Sequence, residues 1–114
     1  MKKFCIIFFS LGFLYANEDY ENLIGYVYRN ANPKLAKEYH ATAITQWQYG
    51  NIEAAISRFK ASCNLGLGIS CATLGDIYKK GLKEVPQNKE QSLTFYNLAC
   101  ALGDTDSCKE IESK

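Results

Sequence analysis

Two segments of this chain, "CNLGLGISC" (63–71) and "CALGDTDSC" (100–108), each hold two cysteines with seven residues between them. In both, Leu-Gly follows two and three places after the first cysteine. Eight steps along one straight helix cover about 12 Å. A disulfide requires Cα atoms roughly 4.4–6.8 Å apart. Cys63 can therefore bond Cys71 only if the chain reverses between them, and the same holds for Cys100 and Cys108. Gly66 and Gly68 in the first segment, and Gly103 in the second, suit such a reversal. Each pair would then join the last turn of one helix to the first turn of its antiparallel neighbour. Of the three possible connectivities, local pairing fits best, and a nine-residue closed loop contributes about 2.5 kcal/mol in the chain-entropy treatment. Zinc knuckles place cysteines two to four residues apart, and redox dithiols use Cys-x-x-Cys. Neither spacing occurs here, so no metal site is expected.

The two segments belong to a longer echo. At the same offset Ile56 falls on Leu93, Phe59 on Tyr96, Ser70 on Ser107 and Leu74 on Ile111. A repeat of this length marks stacked supersecondary units. Ala36, His40, Ala43 and Trp47 recur at helical spacing and predict a helix over 34–49, with Asn32-Pro33 at its start and Gly50-Asn51 at its end. Ile52, Ala55, Ile56, Phe59 and Cys63 form the next stripe. A third helix is expected over 69–80, with Leu74, Ile77 and Tyr78 inward. "LKEVPQN" is a loop, because Pro86 interrupts a helix. Leu93, Tyr96, Ala99 and Cys100 share a face of a fourth helix over 88–102, and a short fifth follows at 105–113. Residues 18–30 read as helix, although Tyr26, Val27 and Tyr28 would also suit a strand.

The N-terminus sets the context. Lys2 and Lys3 precede an apolar run from Phe4 to Leu14, followed by Tyr15-Ala16 and the polar "NEDYEN". That run is shorter than the about 20 apolar residues a membrane span needs, and it has the layout of a secretory signal. Residues 1–16 are expected to be removed near Ala16, leaving 17–114 as a single disulfide-linked helical repeat domain in the periplasm or outside the cell, with no stable membrane anchor. The four cysteines that remain suit an oxidising compartment. Loss of Lys2 and Lys3 from 13 basic residues leaves 11 against 12 acidic ones. Such a balance gives no electrostatic case for nucleic acid.

From Cys71 onward the chain presents Leu74-Gly75, Tyr78, Gly81, Asn88, Phe95-Tyr96, Ala99-Cys100, Gly103 and Cys108. This resembles the cysteine-linked, Sel-like branch of the tetratricopeptide superfamily. Its first helix carries Leu-Gly-x-x-Tyr-x-x-Gly, its second Tyr-Tyr-x-x-Ala-Cys, and a disulfide closes Cys-x7-Cys. The preceding unit fits more loosely through Trp47, Gly50 and Ala55, with Arg58-Phe59 where paired aromatics are usual. Ser92 stands where alanine is typical, and residues 17–33 carry no match. The resemblance implies an all-α stack of antiparallel helix pairs, an α-solenoid fragment, acting as an exported interaction module. Relatives of this kind have also been labelled penicillin-binding proteins or beta-lactamases.

That second label can be weighed on the residues. Ser57-Arg58-Phe59-Lys60 matches Ser-x-x-Lys, but the companion Ser-Asp-Asn and Lys-Thr-Gly elements are missing. Ser57 and Lys60 are thus the nearest approach to a catalytic pair, in a chain whose seven serines make a chance match unsurprising. His40 is the sole histidine, and on an inward stripe it reads first as a hydrogen-bonded core residue. Trp47 reads first as packing and second as a recognition anchor. Tyr39, Tyr49 and Tyr78 are the other candidate binding residues, since tyrosine offers contact area at low entropic cost. Lys79, Lys80, Lys83 and Lys89 form a basic cluster that is either a solvated face or a seat for an acidic segment. No cofactor motif is present: there is no Gly-rich phosphate loop and no His-Glu-x-x-His.

The expected function is noncatalytic binding of a protein or peptide, cell-wall peptide included, against the first helices of each unit. The alternatives are a beta-lactam-directed enzyme and a small inhibitor or immunity factor specific for one enzyme.

Overall fold

Asparagine, proline and glycine punctuate the chain, and several of the helices begin or end beside them. A computed structural model describes residues 22–113; the expected signal segment lies outside the described residues. Helix α1 covers 22–29, so the ambiguous Tyr26-Val27-Tyr28 stretch is helical. It is followed by α2 (Pro33–Gln48), α3 (Ile52–Asn64), α4 (Gly68–Lys80), α5 (Lys89–Ala101) and α6 (Thr105–Glu112). No strand occurs among the described residues. Asn32 caps α2 by accepting a hydrogen bond from the Leu35 amide, with Pro33 in the first turn. Asn88 caps α5 in the same way through Gln91, and Asp104 caps α6 through Ser107. Each such cap satisfies an amide that the helix itself leaves unpaired.

Consecutive helices pack on one another: α2 on α3, α3 on α4, α4 on α5, and α5 on α6. The protein is therefore an all-α stack of antiparallel helix pairs carrying two disulfides, Cys63–Cys71 and Cys100–Cys108. In both the Cα atoms are 4.8 Å apart. The reversal that this requires is made by Gly66 and Gly103, at φ +101° and +102°, a left-handed conformation that side chains with a Cβ resist. Gly68 has a different role from the one expected of it. It is the first residue of α4, and a Cβ there would come within 3.3 Å of Leu102.

Val27, Phe59, Leu74, Ile77, Phe95 and Leu98 form the centre of the core, with Cys63 and Cys71 buried among them. The stripe on α5 is wider than its predicted face: Phe95 and Leu98 are buried as well as Tyr96 and Ala99, while Cys100 is only partly covered. A helix contacted by α4 on one side and α6 on the other has two sides to bury, which a single 3.6-residue stripe does not describe. At the disulfide end, α1 and the link into α2 reach both turns. Tyr28 of α1 donates its hydroxyl to the Ala101 carbonyl, and the amide of Asn32, the α2 cap, bonds the Leu65 carbonyl.

Candidate binding groove and a buried hydrogen-bond chain

On α3, Glu53, Ser57 and Lys60 follow i, i+4, i+7 spacing and so line up on one face. Ile52 and Ile56 flank that stripe. Tyr78, near the end of α4, and the loop segment Glu84–Val85–Pro86 close the other side, enclosing an open groove of about 740 Å³. That volume lies within the about 300–1,000 Å³ range of small-ligand sites. The Tyr78 ring stacks on Phe95 at 5.9 Å between centroids, and the Lys60 ammonium sits 5.9 Å from the Tyr78 ring centre.

The loop wall is held at several points. The Asn88 amide donates to the Tyr78 carbonyl at 2.8 Å, and the Gln87 side chain to the Lys79 carbonyl at 2.8 Å. Lys83, the one non-glycine residue at positive φ among those described, reaches back to the end of α2. Its ammonium donates to the Trp47 carbonyl at 3.2 Å and lies 5.1 Å from the Trp47 ring centre. A cation over an aromatic face and beside a helix C-terminal carbonyl is favourable on both counts.

Ser57 is exposed on this groove, yet its surroundings do not activate it. It is the sixth residue of α3, so its amide is engaged within the helix and offers no oxyanion donor. The sole histidine is committed elsewhere. His40 Nδ1 lies 2.7 Å from Ser70 Oγ, Ser70 Oγ 2.6 Å from Ser62 Oγ, and Ser62 Oγ 2.7 Å from the Ala36 carbonyl oxygen. The carbonyl can only accept, so Ser62 must donate to it, and Ser62 then accepts from Ser70. Ser70 in turn accepts from His40, which places the imidazole proton on Nδ1. The chain is thus directed from end to end and crosses from α2 through α4 and α3 back to α2. Ser62 and Ser70 are fully buried, so this histidine–serine pair is closed to substrate. Burial also lowers the His40 pKa and favours the neutral ring.

Of the sequence-predicted binding residues, Tyr78 lines the groove together with Ser57 and Lys60. Trp47 does not. It is half-buried against the core and covered by Lys83. Tyr39 is half-buried on α2, and Tyr49, at the α2 C-cap, is 77% exposed. The basic cluster is divided: Lys79 pairs with Glu110 of α6, while Lys83 is spent on Trp47. The groove is therefore built on α3, the second helix of the first unit, together with Tyr78 of α4, the first helix of the next. Helix spacing alone would place Glu53, Ser57 and Lys60 together. It gives no sign that the loop after α4 folds against them.

The serine chain has a local signature that sequence reasoning passed over. Ser62 precedes Cys63 and Ser70 precedes Cys71, so tying the cysteines brings the serines together. In the second turn Ala99 replaces the first serine, and Ser107 instead bonds the Asp104 carboxylate. Among the described residues no three potential metal-binding side chains converge. Compared with family models, curated proteins and solved structures, the chain matches none.

Proposed function

We propose that the protein is an exported, noncatalytic binding module that holds a protein or peptide segment in the groove between α3 and the α4–α5 loop. The observation that carries this reading is the groove itself: apolar walls from Ile52, Ile56 and Val85, a charged rim, and a scaffold clamped by two disulfides. The Sel-like motif supports it, as a resemblance of architecture. Disulfides that cross both inter-helix turns favour an oxidising compartment, in keeping with the N-terminal signal pattern. The test is to place a photo-crosslinking side chain at position 57 and another at the distant position 112, then irradiate in the native envelope. A partner captured from position 57 and not from 112 is the expected result. No position-dependent adduct would overturn the reading, and a single enzyme captured one-to-one would redirect it to the inhibitor class.

A beta-lactam-directed activity has one observation in its favour, the presence of Ser57 and Lys60 in the same groove. The in-helix amide of Ser57 and the commitment of His40 to Ser70 weigh against it. Neither hydrolysis of a chromogenic cephalosporin nor an acyl adduct by intact mass is expected. Turnover abolished by Ser57→Ala would reverse that conclusion.

A further inference from the structure

The charges of the groove are arranged in an order. Glu53 stands in the first turn of α3 and Lys60 seven residues later, about 10 Å along the helix axis. A carboxylate thus occupies one end of the α3 wall and an ammonium the other, with Ile56 and Ser57 between them, while Glu84 adds a second carboxylate from the loop wall. Among the described residues neither Glu53, Glu84 nor Lys60 has an ion-pair partner, in contrast to Lys79, which Glu110 neutralises.

We infer that the groove takes a peptide segment in the polyproline-II conformation bearing a basic and an acidic group three residues apart, with apolar residues between, the basic group at Glu53 and the acidic group at Lys60. Such a chain makes one turn in three residues, so both charged side chains face the groove, and it advances about 9 Å between them, close to the separation of the two ends. A free amino acid, whose charges share one carbon, cannot reach both. The apolar walls select against a ligand charged throughout, because carboxylates and ammonium groups resist desolvation. This inference deepens the binding-module reading and rests on it.

Four capped tetrapeptides test it, each with Val-Leu at the centre: Lys-Val-Leu-Glu, Lys-Val-Leu-Lys, Glu-Val-Leu-Glu and Gln-Val-Leu-Gln. Each is titrated into the oxidised protein at low salt, and binding is read from amide chemical shifts. The mixed-charge peptide is expected to move the signals of 52–60 and 84–86 and to bind about 2- to 30-fold more tightly than the neutral one, the range for two partly exposed ion pairs. Lys60→Glu should make the dibasic peptide the tightest. Glu53→Lys combined with Glu84→Lys should favour the diacidic one. Glu53 and Glu84 are exposed and Lys60 is half-buried, and circular dichroism checks that each variant is folded. Equal affinity of the four peptides at the groove, or a ranking that the variants leave unchanged, would overturn the charge-order inference while leaving peptide binding intact. Shifts confined to other surfaces, or none with any peptide, would overturn both.

Discussion

Ser62 and Ser70 are small and polar, yet they sit at the centre of an apolar stack because every hydroxyl proton and lone pair they need is supplied. Removing one link leaves a buried partner unsatisfied, so Ser62→Ala or Ser70→Ala should each cost about 1–3 kcal/mol in urea unfolding. The cost of protonating His40 has a different origin. Nδ1 already donates to Ser70, so a second proton on Nε2 leaves the chain unbroken and only places charge in a partly desolvated site. The folded-state pKa lies below 6.5, so the unfolded state binds the proton first. His40 thus contributes stability that is fully present above pH 6.5 and is lost as the pH falls through the depressed folded value. Denaturation midpoints should therefore decline as the pH is taken from about 7.5 to about 5.5, roughly one unit either side of the ordinary histidine value. In His40→Asn, whose amide can still donate to Ser70, the decline should flatten.

At the scale of helices, the contact between α4 and α5 depends on one missing side chain. A Cβ on Gly75 would stand 2.6 Å from two carbons of the Tyr96 ring. That ring cannot retreat easily, because its hydroxyl bonds Asp76 and it is almost fully buried. Burial, reinforced by the Asp76 carboxylate, pushes the Tyr96 phenol well above its ordinary pKa and keeps it a donor. Ser92 adds a bond to the Gly75 carbonyl across the same contact. Gly75→Ala should destabilise by about 1–3 kcal/mol through overpacking. Combining it with Tyr96→Leu should cost less than the two changes summed, a coupling that a double-mutant cycle measures. The two disulfides should differ as well. Cys63 and Cys71 are fully buried, whereas Cys100 and Cys108 are partly exposed. Native-state reduction followed by alkylation and mass analysis should therefore label Cys100 and Cys108 first. Labelling of Cys63 and Cys71 should require global unfolding.

For the molecule as a whole, α1 is the element that the repeat pattern does not explain. It lies across the disulfide end, with Val27 fully buried and Tyr28 bonded to α5. Val27→Ala should lower global stability by about 1.5 kcal/mol, the value of roughly two buried methylenes, and should increase amide exchange at both turns. Loss confined to α1 would show that the stack stands without it. Much of this architecture was legible beforehand. The 3.6-residue stripes, the asparagine caps and the glycines after Leu65 and Leu102 are local devices, and they mark α2 to α6 to within a residue or two. The cysteine spacing foretold two tied turns for a purely geometric reason: a disulfide cannot bridge eight steps of straight helix. The site was less legible, since each of its parts depends on residues distant in the chain. Lys83 finds Trp47, the Glu84–Pro86 loop closes over α3, and His40 meets a serine 30 positions away. Sequence by itself determined where helices start, stop and turn back, because those events are governed by backbone conformation within a few residues. Only the tertiary structure decided which side chains are buried donors, which are paired charges and which remain free to meet a ligand, because burial and pairing are properties of the surfaces that packing brings together.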